Sequence, residues 1–157
     1  MNNALETLAA KVQLTAPSNR QLRFAFTYAC ADRVRHLLED PAVVDCLDVL
    51  GRFVNGTASV EELELAQQEA ARLANSHGGS KSIDGCGHAA VSATYAVAKA
   101  VEGKAIEAAS YAAYAIVYAQ GGYAAVADRG SFEPEFAWQV ASLTALAGQL
   151  ASSTQAN

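Results

Sequence analysis

Apolar residues recur along this chain at intervals of three and four, and no stretch of convincing length alternates with period two. That pattern predicts helices throughout and no sheet. Asn3 with Glu6 makes a capping-box pattern ahead of Leu5, Leu8 and Val12, predicting a short first helix that Pro17 ends. Ser18 or Asn19 then caps a long helix through about Glu39, with Leu22, Phe26, Ala29, Cys30, Arg33 and Leu37 on one face. Asp40 and Pro41 are an N-cap and first-turn pair for the next helix, whose stripe is Val43, Cys46, Leu47, Leu50 and Val54 and which Asn55-Gly56 stops. Ser59 with Glu62 opens another, with Leu63, Ala66, Ala70 and Ala74 inward, closed by the stretch from Asn75 to Ser80.

From Cys86 to Ala119 the chain is mostly alanine and divides into two helices hinged at Gly103. In the first, Ala90, Ala93, Thr94, Val97 and Val101 share a narrow arc, while His88, Ser92, Tyr95, Lys99 and Glu102 lie opposite and form a polar face. In the second, Ile106, Ala109, Ala113, Ile116 and Val117 face inward, and Tyr111, Tyr114 and Tyr118 form a ridge turned away from them. Small inward residues allow close approach of the helix axes. After the stretch "QGGYAAVADRGS" a last helix carries Pro134 in its first turn and Phe136, Val140, Leu143, Ala147 and Leu150 inward. The expected fold is all-α, a single compact bundle of about six to seven helices. Residues 1–17 form a short helix and linker, 18–151 the helical domain and 152–157 a frayed tail.

At 157 residues the chain is long enough for an independent core. Three dispersed cysteines, Cys30, Cys46 and Cys86, without paired spacing, suit a reducing cytoplasm. The net charge of −5 with scattered Lys and Arg argues against nucleic-acid binding and favours a basic partner. Residues 108–127 lack charge but hold Ser110, Gln120, two glycines and four tyrosines among their alanines, too little insertion energy for a membrane span.

Candidate chemistry is sparse. His77, Asp84, Cys86 and His88 are all permissible zinc ligands, yet their spacing matches no closed site, so neither a metal nor another cofactor is expected. Arg33, a guanidinium within an apolar stripe, requires a carboxylate or carbonyl partner or an outlet to solvent and is read as one half of a structural ion pair. Asp45 and Asp48 on one helix, and Glu61 and Glu64 in the first turns of the next, are either helix-stabilising carboxylates or a docking patch. Trp138 lies opposite its own helix's apolar stripe and needs a second layer or a partner. Tyr and Trp are enriched where proteins bind proteins. His88, Tyr95, Lys99, Tyr111, Tyr114, Tyr118 and Trp138 are therefore the candidate partner-binding residues, joined by the acidic group.

The run "RQLRFAFTYACADRVRHLLED", then "DCLDVLGRFVNGTASVEELELAQQEAARLA", "GHAAVSATYAVAKAVEGKAIEAASYAAYA" and "EFAWQVASLTAL", resembles the all-helical, alanine-rich immunity proteins of bacterial polymorphic toxin systems over about Ser18 to Leu146. The matching positions are Cys30, Asp32, Arg33, Gly87, His88, Trp138 and Gln139, and the departures are the tyrosines of "TYAVAKA" and "YAIVYA". The resemblance implies a cytoplasmic, non-enzymatic protein that binds and occludes a cognate toxin domain. Two other classes compete: a helical protein that self-associates, as a homodimer, through its tyrosine and tryptophan faces, and a small metal-dependent enzyme.

Overall fold

The structure is a computed structural model that describes residues 1–77 and 86–156, with side chains omitted at 86 and 154–156. Seven α-helices account for its architecture: α1 (Asn3–Lys11), α2 (Arg20–Asp32), α3 (Pro41–Val54), α4 (Val60–Ser76), α5 (Cys86–Val101), α6 (Ala105–Ala127) and α7 (Glu133–Ala156). Short 3₁₀ turns at Pro17–Asn19, Arg35–Leu37 and Arg129–Phe132 join some of them. The described residues contain no strand.

Capping chemistry sets several boundaries directly. Asp40 accepts from the Ala42 amide with Pro41 behind it, and α3 ends at Asn55 with Gly56 at φ 80°. Ser59 and Glu62 form a complete reciprocal capping box on α4. The first cap falls one residue earlier than expected: Asn2, not Asn3, accepts from the Leu5 amide. Asn19 precedes α2 but does not cap it with its side chain, donating instead to the carbonyls of Val12 and Gln13 and so fastening the linker.

The second helix is shorter than its periodicity suggested. It stops at Asp32, and the chain turns through Val34, fully buried, into the Arg35–Leu37 turn. Ending the helix there lets Val34 bury in the core among residues of distant helices. The Gly121-Gly122 pair does interrupt the helix, and α6 is two helical stretches joined across a kink there. Gly122 adopts φ 61°, ψ −148°, a conformation open essentially to glycine, and the helix resumes beyond it to Ala127. α7 continues from Ser152 to Ala156, residues that the sequence assigned to a tail.

Burial is organised in two large clusters bridged by α2, α5 and α6. One joins Val43, Cys46, Leu47 and Leu50 of α3 and Leu63, Ala66 and Ala70 of α4 to Phe24, Val97 and Val101. The other joins Leu5 and Leu14 to Leu22, Phe26, Cys30, Ala93, Ala109 and Leu143, so the first 17 residues share the core of the main body. Buried polar bonds cross the seams. Thr27 donates to the Ala100 carbonyl at 3.0 Å, tying α2 to α5. Gln139 donates to the Ala109 carbonyl at 2.8 Å and accepts from Asn2 at 3.0 Å, tying α7 to α6 and to the start of α1. Gly51 lets Tyr28 lie against α3, since a Cβ there would sit 2.9 Å from the ring.

Candidate functional site

The face of α5 expected to be open and polar is largely covered. Because α5 and α6 are both lined with buried alanines, they lie close together, and the tyrosines of α6 reach back across α5. Tyr111 stacks on Tyr95 at 5.2 Å between centroids, and Tyr118 stacks on His88 at 5.3 Å. Lys99 is half-buried and approaches Glu107 at 3.7 Å. Four of the predicted contact rings thus serve first to join two helices. Tyr114 remains 42 % exposed and lies edge-on to Phe132 at 5.0 Å. Tyr123, not identified from the sequence because it followed a presumed helix break, is 55 % exposed. The Gly122 conformation brings it back edge-on to His88 at 5.2 Å and to Tyr118 at 6.1 Å. The result is an aromatic block with an exposed edge at Tyr114 and Tyr123.

Arg33, at the end of α2, donates from Nε and Nη2 to the two oxygens of Glu135 at 2.7 and 2.8 Å. The bidentate bond to Glu135 holds its guanidinium still more basic than usual, against the opposing cost of burial. The same guanidinium covers the Trp138 ring at 4.3 Å, so Trp138 has its second layer within the chain. Glu135 escaped the sequence reading because its partner is 102 positions away. With His36, Ile116, Ala119 and Gln120 the pair lines a small pocket of about 230 Å³. Cys30 lies buried behind it, its thiol pushed up first by burial and then by Glu135. Of the positions carrying the immunity-protein resemblance, Cys30, Arg33 and Trp138 meet here, whereas Asp32 pairs with Arg35 and His88 belongs to the aromatic block.

The acidic residues separate into two roles. Asp48 accepts from Arg35 at 2.7 Å and is already paired. Asp45, Glu61 and Glu64 have no basic partner among the described residues. Asp45 borders a groove of about 390 Å³ between α3 and α4, which also has Glu62, Leu65 and Glu69 on its lip. Glu62 is held below the usual carboxylate range chiefly by the Ser59 amide, and Glu69 chiefly by Arg72, so both remain charged. Leu65 is 66 % exposed.

Of the residues weighed as metal ligands, Asp84 and the Cys86 side chain lie outside the described residues. No group of three His, Cys, Asp or Glu able to hold an ion occurs among the described residues, and the His88 ring is engaged by tyrosines. No helix among them is long and apolar enough to cross a membrane. In comparisons with known proteins no family model matches the chain, and neither a curated protein nor a solved structure matches it.

Proposed function

We propose that this protein is a cytoplasmic immunity protein that neutralises a cognate toxin domain by binding and occluding it. The observation that carries the reading is the aromatic block, whose exposed edge, Tyr114 and Tyr123, is backed by rings already held in place by His88, Tyr118 and Phe132. Aromatic anchors dominate protein interfaces, and anchors fixed before binding lose little freedom on association. Acidic groups elsewhere on the surface steer a basic partner toward it.

Co-expression with the toxin encoded beside it tests the reading. The wild-type protein should restore growth and co-purify with the toxin domain. No protection by the wild-type protein would sink it. Self-association is the second reading, supported by the same exposed rings, which a second copy could also cover. A dimer mass in light scattering that reverts to monomer in Tyr114→Ala and Tyr123→Ala, with no toxin protection, would favour it.

A further inference from the structure

We infer that the groove between α3 and α4 is a docking site for one basic amphipathic helix of a protein partner. Its walls are matched. Ala42, Asp45, Cys46 and Val49 stand on α3 at spacing i, i+3, i+4, i+7. On α4 the same spacing recurs in Glu62, Leu65, Ala66 and Glu69. Two such walls stay in line for about two helical turns, roughly 10 Å, which is the footprint of a third helix laid alongside. Ala42, Cys46 and Ala66 keep the floor shallow and apolar, leaving space for larger apolar side chains from the incoming helix.

Charge decides which helix fits. Glu62 and Glu69 are neutralised locally by Arg52 at 3.5 Å and Arg72 at 2.7 Å. Asp45, the third carboxylate of the lining, is not neutralised by any described basic group, and no Lys or Arg lines the groove, so it carries uncompensated negative charge beside the exposed Leu65. A helix with an apolar stripe and flanking Lys or Arg satisfies both features, whereas an acidic helix meets repulsion. A second copy of this chain, with its net charge of −5, is disfavoured on the same ground. This inference goes beyond the immunity reading, since the groove selects a basic helix whatever the partner's activity.

The test uses the intact protein and a fluorescein-labelled Leu/Lys peptide of about four helical turns, its leucines at i, i+3, i+4, i+7 spacing. A control peptide of identical composition has its leucines spread around the helix. In fluorescence anisotropy the amphipathic peptide should bind saturably, roughly tenfold or more tighter than the control, and more weakly as salt rises. Leu65→Ser and Asp45→Lys, each with unchanged helix content, should weaken binding roughly tenfold, and Tyr114→Ala should leave it unchanged. Amide shift changes should fall on α3 and α4. Absence of saturable binding, equal binding of the control, an indifferent Leu65→Ser, or shifts centred on Tyr114 and Tyr123 would each overturn the inference. Failure of toxin protection leaves this result untouched, and failure here leaves protection untouched.

Discussion

Arg33 lies across the face of Trp138, its guanidinium carbon 4.3 Å from the ring centroid, while the same group clamps Glu135. One side chain from α2 therefore both covers an aromatic ring and neutralises a nearly buried carboxylate on α7. The Glu135 side chain is only 8 % exposed and that of Arg33 35 %, so removing the arginine strands the costlier partner.

Arg33→Ala should accordingly destabilise the fold by about 1–3 kcal/mol, below the roughly 3–5 kcal/mol of a fully buried pair because Arg33 itself is partly solvated. Arg35→Ala, which breaks exposed pairs with Asp32 and Asp48, should cost less than about 1 kcal/mol. Urea denaturation at matched slopes separates the two. Equal midpoints would show that water compensates Glu135.

The tyrosines should divide by role. Tyr95→Ala and Tyr118→Ala remove rings packed between α5 and α6 and should lower the melting temperature. If the proposed immunity reading holds, Tyr114→Ala and Tyr123→Ala should reduce protection with much smaller loss of stability, since both rings are substantially exposed. Full protection by both exposed-ring variants would move the interface elsewhere.

Gly51 offers a test of close approach. Ala at this position adds helix propensity worth about 1 kcal/mol but drives a methyl into the Tyr28 ring, at a cost of about 1–3 kcal/mol. Gly51→Ala should therefore be neutral to destabilising in the wild-type protein. In a Tyr28→Ala background it should become stabilising. The same sign in both backgrounds would mean that the ring moves aside freely.

Burial pushes the Cys46 thiol up to about 11, with smaller contributions from Glu69, Asp45 and Asp40. The folded state thus favours the protonated thiol. Its contribution is complete below the ordinary thiol value and lost as pH rises through about 11. Measured in a Cys86→Ser background, stability should decline across that alkaline window, and Cys46→Ala should lessen the decline, the remainder belonging to the buried Cys30. Native Cys30 and Cys46 should also resist thiol reagents at mildly alkaline pH until denaturant is added. Prompt modification of either would contradict their burial.

Where structure is set by neighbours in sequence, it was legible. Asp40-Pro41, Asn55-Gly56 and Ser59 with Glu62 define α3 and α4 through local hydrogen bonds and one left-handed glycine. The end of α2 has no such signature at Arg33 or Val34, because the turn there depends on burying Val34 among distant helices. Periodicity correctly gave the angular position of His88 and Tyr95 on α5 but could not say what covers them, which depends on how closely α6 approaches. Glu135, and the bonding role of Gln139, were hidden for a related reason. Each is polar, sits among apolar positions of α7, and is justified only by Arg33, or by Ala109 and Asn2, far away in the chain.

The alanine lining of α5 and α6 also reverses the usual direction in which a core is vulnerable. Alanine has no side-chain rotamers to freeze, so this interface is ordered at little entropic cost, and trimming it further removes at most a methyl. Enlargement is the damaging change. A valine at the fully buried Ala96 or Ala108 would need space that neighbouring helices already occupy and would wedge backbones apart. The ring pairs that bridge those backbones, Tyr95 with Tyr111 and His88 with Tyr118, would separate with them. Substitution along these two helices is thereby confined to small residues inside, and only the outer surface tolerates larger ones without moving the helices apart.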